Sequence, residues 1–143
     1  IPDCVPGVLR DLKILTLEVQ RMPKEYGSSI GNPARYPYLS VCTTGTHDME
    51  TLRGWKGECS VDQVREIVRE HLESPAMLTI LPLQDWLALT DHLRVDNPAD
   101  ERINTPADPN NRWRYRMNIY MEDLMKESHL NGEILQMIKA SRG

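Results

Sequence analysis

The sequence predicts an α/β fold built around a small parallel sheet. Three observations predict it. Short apolar or β-branched runs alternate with segments whose apolar residues recur at helical spacing. No two strand runs are joined by a tight turn, which favours parallel strands with helical crossovers over hairpins. One run, 77–81 (Met-Leu-Thr-Ile-Leu), is apolar throughout, as expected for a strand covered on both faces. The 143 residues suit one ordinary domain. They are too few for a closed eight-unit β/α barrel, which takes about 200 residues or more.

The elements follow in order. Residues 2–12 carry a short helical pattern, with Val5, Val8, Leu9 and Leu12 on one face. Pro2 and Pro6 are compatible only with its start. Residues 16–22 alternate apolar and polar, the mark of a half-buried strand, and Pro23 ends it. Residues 23–37 are rich in Pro, Gly, Ser and Asn and read as a loop. Residues 38–42 are a second strand, which runs into the small polar turn Thr43-Thr44-Gly45-Thr46-His47-Asp48. Ser60 and Gln63 form a capping-box signature. Val61, Val64, Ile67, Val68 and Leu72 then mark one helix face, and Pro75 stops the helix. After the strand at 77–81 comes a short helix within 82–89. Residues 91–112 are a long irregular segment with several Pro and Asn signals, of the kind that is functional or disordered. Two helices follow at about 119–127 and 132–140, the second with Ile134, Leu135 and Ile138 inward.

Composition excludes several classes. Lys plus Arg number 17 and Asp plus Glu 21, for a net charge of −4. No basic run exceeds two residues, which argues against a nucleic-acid partner. No apolar stretch has the ~18–20 residues needed to span a bilayer, so no membrane partner is expected. Three widely spaced cysteines without a CxxC pattern fit neither a disulfide framework nor a cysteine zinc site. His47, Asp48 and a distant His lack any HxxxH or HxH spacing, so no metal is expected. There is no P-loop, GxGxxG or GxSxG, and no cofactor is expected.

Two segments could carry chemistry. Residues 44–48 directly follow a strand, and reactive groups gather at the carboxyl ends of parallel strands. A carboxylate beside an imidazole, Asp48 beside His47, suits charge stabilisation, sugar hydroxyl binding or acid/base work. The alternative is that Asp48 merely N-caps a helix over 49–55. The second segment is Glu101-Arg102-Ile103-Asn104-Thr105-Pro106 with Asn110, Asn111, Arg112 and Trp113. Polar forks for hydroxyls and a flat apolar ring are sugar-binding chemistry. The alternative is a loop in which Asn104 and Asn110 make turn hydrogen bonds. Trp55, Trp86 and Trp113 are expected in the core. His71 is expected at a helix end, favourable to the dipole. His92 and His129 are expected at the surface.

The motifs go further. Residues 38–48 (Tyr-Leu-Ser-Val-Cys-Thr-Thr-Gly-Thr-His-Asp) and then Thr51-Leu52-Arg53-Gly54-Trp55 resemble the 4-α-glucanotransferases of glycoside hydrolase family 77. Ser74-Pro75-Ala76-Met77, Pro82-Leu83-Gln84-Asp85, Arg102-Ile103-Asn104-Thr105-Pro106 and Trp113-Arg114-Tyr115-Arg116 continue the match in the family's order. Gln20-Arg21-Met22-Pro23 and 113–116 are most similar to the branch of the plant cytosolic enzyme, which implies a cytoplasmic location.

The resemblance implies that residues 1–143 are the C-terminal part of a (β/α)8 TIM barrel, about its strands six to eight with their helices. It implies part of a retaining enzyme that transfers α-1,4-glucan segments between maltooligosaccharides. The family's Asp nucleophile and its Glu acid/base, in a Glu-Asp-Leu-Gly motif, have counterparts upstream of Ile1, so this chain alone is expected to be inactive. Its third carboxylate corresponds to Asp48, a transition-state stabiliser. His47 and Asn104 correspond to substrate-binding groups. An acidic helical stretch of the family has no counterpart between Trp55 and Lys56, and is either left out of the sequence or deleted. A partial barrel has open edges and is expected to dimerise or self-associate through them. The rival reading is a non-catalytic carbohydrate-binding or assembly module.

Overall fold

The computed structural model of the chain describes residues 2–57 and 59–143. Three strands, β1 (Thr16–Val19), β2 (Ser40–Thr43) and β3 (Leu78–Thr79), form one parallel sheet in the order β1-β2-β3. Leu17 pairs with Val41 and Val41 with Leu78; Glu18 pairs with Cys42 and Cys42 with Thr79. Among the described residues six α-helices accompany it: α1 (Val5–Asp11), α2 (Leu52–Lys56), α3 (Val61–Leu72), α4 (Leu83–Leu87), α5 (Met121–Leu124) and α6 (Ser128–Arg142). The expected order and the parallel pairing both hold. The loop at 23–37 contains one 3-10 turn, Pro33–Arg35, and the irregular segment contains two, Asp91–Leu93 and Pro98–Glu101.

The two faces of the sheet differ. Cys42 is fully buried against the α3 end, its thiol within reach of the His71 carbonyl and the Ser74 and Thr79 hydroxyls. Side chains alternate along a strand, so Leu17, Val41 and Leu78 share the opposite face. Leu17 is 48% and Leu78 45% exposed there, and Met77 and Ile80 are also exposed. The expectation that 77–81 is covered on both faces is therefore corrected. Among the described residues only the helical side of the sheet has a cover.

The main core lies between helices. Leu52, Val64, Val68, Leu72, Leu81, Leu87, Leu89, Leu93 and Leu130 form one cluster, with Trp55 and Trp86 packed at its margin. The amphipathic stripe of α3 fills it, as the spacing predicts. Two helical faces do not follow the prediction. Val8 in α1 and Leu12 at its C-cap are exposed, and no residue of α1 is buried. In α6 Leu130 is buried and Ile134 and Met137 pack inward, whereas Leu135 and Ile138 are exposed. The helix starts at Ser128 rather than at 132, and this earlier start brings Leu130 into the contact stripe.

His71 is also corrected. It is fully buried; one ring nitrogen meets the Ile67 carbonyl at 2.8 Å, and burial pushes its pKa down. It is a neutral packing residue and not a charged partner of the helix dipole. The carbonyls at that end of α3 are served instead from α6. The Arg142 guanidinium donates to the Leu72 and Ala76 carbonyls at 2.6 and 2.7 Å and to the Thr79 hydroxyl at 2.7 Å.

The capping box forms as read. Ser60 Oγ accepts the Gln63 N–H and the Gln63 side chain accepts the Ser60 N–H. Because α3 supplies much of the core, Ser60→Ala is expected to lower stability by about 1 kcal/mol. Chemical denaturation of the two chains checks this; equal midpoints would remove the box from the account.

Candidate functional site

The three strands end at one rim of the sheet, and the segments that leave them converge there. The β2 exit runs through residues 44–51 into α2. Its path is held from both sides. Thr44 donates its hydroxyl to Asp85 at 2.5 Å, and the Leu52 N–H donates to the other oxygen of Asp85 at 3.1 Å. Thr51, not Asp48, is the N-cap of α2, its hydroxyl oxygen accepting the Gly54 N–H. The capping alternative for Asp48 therefore fails, and the Asp48 side chain stays about half exposed at 51%.

Asn104 approaches from the segment beyond β3. Its Nδ2 donates to Asp48 Oδ1 at 2.6 Å, and its own Oδ1 accepts from Asn111 Nδ2 at 2.7 Å. His47 Nε2 stands 3.5 Å from the other oxygen, Asp48 Oδ2. The structure thus brings together Asp48, His47 and Asn104, although 56 residues separate Asp48 from Asn104. Asn104 is not a turn residue; in the turn that follows, it is Asp108 that accepts the Asn110 N–H. Trp113 is exposed and not in the core. Its ring lies 5.1 Å from the His47 ring, tilted by 42°. Its φ of 52° is the left-handed region, which costs a bulky residue about 1–2 kcal/mol.

Beneath these groups lies a charged frame whose pairing the residue pattern did not reveal. Glu50 accepts hydrogen bonds from Arg21, which leaves β1, and from Arg102, which precedes Asn104. Its carboxyl is held below the usual range, first by a hydrogen bond from its own backbone N–H and further by the two guanidinium groups. Arg21 also donates to the Glu50 carbonyl and lies over the Trp55 ring. A Cβ at Gly45 would stand 2.7 Å from Arg21 Nη2, so the glycine admits the arginine. Deeper still, Glu101 accepts from the Thr51 hydroxyl at 2.6 Å and from Arg53 at 2.5 Å. Arg21, Arg53, Glu101 and Arg102 stand in segments that the sequence singled out, but nothing in those segments pairs them with one another or with Glu50. The ion pairs themselves span 29 to 52 residues.

Chemically the rim offers a half-exposed carboxylate with a fixed amide on one oxygen and an imidazole on the other, beside an exposed aromatic face. That suits a polyhydroxylated ring: hydroxyls for the polar atoms and a flat apolar side for the indole. Among the described residues no three His, Cys, Asp or Glu side chains form a group that could hold a metal.

The comparisons with known proteins bear on this site. The profile of the 4-alpha-glucanotransferase family matches residues 1–122.

The chain belongs to glycoside hydrolase family 77.

Curated relatives agree. A rice protein (Oryza sativa subsp. japonica) named 4-alpha-glucanotransferase DPE2 is 31% identical over 99% of this chain and 17% of its own length. A 4-alpha-glucanotransferase of Chlamydia trachomatis is 28% identical over 92% of this chain and 29% of its own length. Among solved structures, the amylomaltase from Streptococcus agalactiae in complex with acarbose superposes with a TM-score of 0.70 at 22% identity. That match covers 96% of this chain and 29% of the amylomaltase, and shows the shared fold. The chain spans less than a third of the length of these family 77 relatives.

Asp85 yields a pH prediction. Burial pushes its pKa up to about 6, and the nearby Glu101 charge pushes the same way, while the bonds from Thr44 and Leu52 pull it down. The folded state thus holds the proton more tightly than the unfolded chain. This group's stabilising effect is complete below the unfolded value near 4 and is lost as pH rises through about 6, a change of about 3 kcal/mol. Asp85→Asn is expected to flatten that part of the curve of stability against pH. Melting temperatures of both chains between about pH 4 and pH 7 check it; parallel curves would refute it.

Proposed function

We propose that residues 1–143 are part of a retaining 4-α-glucanotransferase, which moves α-1,4-glucan segments between maltooligosaccharides. In this reading the three strands are about strands six to eight of a (β/α)8 barrel, at its C-terminal end. The face carrying Leu17, Val41 and Leu78 then points into the barrel, where side chains from all strands pack in layers. The exposure of that apolar face supports the placement. A cytoplasmic location belongs to the same proposal and rests on the resemblance to the plant cytosolic branch.

The single observation that carries the functional reading is the Asp48 carboxylate, free of any capping duty and held by Asn104 at a strand exit. In the reaction a glucan is cleaved through a covalent glucosyl-enzyme, and another sugar's 4-hydroxyl takes the place of water. Asp48 grips hydroxyls of the sugar at the cleavage point. Those bonds tighten as the ring flattens toward an oxocarbenium ion, which is differential binding of the transition state. Asn104 fixes the carboxylate's direction, and its bond to Asn111 fixes its own. His47 serves the same sugar, and Trp113 walls it. The acarbose bound in the amylomaltase is a sugar-like ligand of the matching class.

The family's nucleophile and acid/base have no counterpart among these residues, so Asp48 alone does not complete the chemistry. The alignment with the rice relative supports a missing stretch: it runs over 163 positions although the chain has 143 residues. We assign that stretch to the junction of Trp55 and Lys56.

Two measurements follow. The 143-residue chain is expected to show no disproportionation of maltotriose; turnover by it would overturn this assignment of roles. In the longer enzyme that carries this segment, Asp48→Ala is expected to cut turnover by about a hundredfold or more. A near-normal rate, with maltooligosaccharide binding intact by calorimetry, would favour a non-catalytic binding module instead.

The open edges of β1 and β3 and the apolar face lead us to propose that the isolated chain self-associates. Small-angle scattering over about a tenfold dilution series is expected to show species larger than 16.5 kDa at the higher concentrations. A monomer throughout would remove this part of the proposal.

A further inference from the structure

We propose that Asp85 is a positioning residue for the Asp48 site: its carboxylate fastens both ends of the segment 44–52, which carries His47 and Asp48. The proposal deepens the functional reading above and rests on it.

Three observations carry it. The first is geometry. Oδ2 of Asp85 takes the hydroxyl of Thr44, the first residue after β2, and Oδ1 takes the N–H of Leu52, the first residue of α2. The two oxygens of one side chain thus close the segment like a clasp. The second is origin. Asp85 stands in the first turn of α4, just beyond β3, with its own N–H bonded to the Pro82 carbonyl at 3.0 Å. It therefore references the Asp48 segment to the neighbouring strand exit. The third is burial. Asp85 is 1% exposed and, among the described residues, has no cation in hydrogen-bond contact. A buried carboxylate without a paired cation is unfavourable for stability. Asparagine or a hydrophobic residue would fill the space at lower cost, so the charge is accounted for by what it holds.

The Asp85 charge also reaches the Cys59 thiol, whose pKa is pushed up by burial and further by that charge. Glu101 opposes the ionised form of Asp85 and Arg21 favours it; Thr44 and Leu52 donate to it. Protonation would take one acceptor site from the clasp, because the acid oxygen becomes a donor. The clasp is then complete only above the carboxyl's raised pKa, and loosens in the acid range.

The test uses the longer enzyme with maltotriose as substrate. Asp85→Asn is expected to lower kcat about tenfold or more and to move KM by less than about threefold, since the segment is misplaced rather than removed. The ratio of wild-type to variant kcat/KM is expected to shrink from about pH 8 to about pH 5, because the variant has no carboxyl to protonate. Thr44→Val keeps the shape but drops the hydroxyl, and is expected to lower kcat severalfold; Thr44→Ser is expected to restore it. A normal kcat in Asp85→Asn, a pH-independent ratio, or equal rates for the Val and Ser variants would each overturn the proposal. Should Asp85→Asn fail to fold, the Thr44 pair decides. Amide hydrogen exchange on the 143-residue chain gives a readout apart from activity. Asp85→Asn is expected to accelerate exchange in 44–52 selectively, with α3 unchanged. If the wild-type longer enzyme has no transferase activity, the functional reading fails, and the exchange experiment still decides whether Asp85 holds the segment.

Discussion

Glu50 sits where three strand exits meet, and the rim depends on its two ion pairs. Arg21 comes from the end of β1, Glu50 from the β2 exit, and Arg102 from the segment beyond β3. The Arg21 side chain is only 9% exposed, and burial pulls its pKa down, so it needs the carboxylate beside it. A buried cation left without its partner would cost several kcal/mol. The frame is therefore asymmetric. Its net contribution to stability is modest while intact, but breaking it is expensive, and that asymmetry pins the loops relative to one another. Arg102 also reaches the Asn104 carbonyl at 2.8 Å, so the frame continues into the residue that orients Asp48.

A second carboxylate cluster lies below the first. Glu101 joins Thr51 and Arg53 at the start of α2, and its own carbonyl accepts from Gln84 at 3.1 Å. One buried layer of charge thus supports the surface layer above it. The site is built on element ends with locked side chains rather than on a free loop, which is what precise placement of a reacting group requires. The relation to family 77 fits this arrangement, because the quoted family motifs fall on the segments that meet at the rim: 43–48, 82–85 and 102–106.

Local patterns were legible in the sequence, and long-range ones were not. The Ser60–Gln63 box could be read because donor and acceptor lie three residues apart. The parallel order could be read because no turn chemistry links the strands. The role of Asp48 could not be decided from spacing, since an aspartate ahead of a helix is also a good cap. The three-dimensional path, which gives the cap to Thr51, removes the capping reading. The motif resemblance nevertheless pointed to Asp48, His47 and Asn104, and the structure brings those three together. The contacts of Glu50, Arg21 and Asp85 could not be read as a set because they cross 29 to 52 residues. The misread faces of α1, α6 and β3 share another cause. Periodicity marks which residues share a side, but not whether anything lies against that side.

Arg142 carries a consequence for how the chain is made. Its guanidinium closes the exposed carbonyls at the end of α3 and reaches Thr79 on β3, across 63 to 70 residues of sequence. Synthesis reaches Arg142 only after α3 and β3 have been made. Until then the α3–β3 corner lacks three of its hydrogen bonds and Leu130 is missing from the helical core. The nascent sheet must therefore wait, incompletely fastened, for α6. Its vulnerable interval is set by the time taken to synthesise and release that helix, rather than by the intrinsic folding speed of the strands.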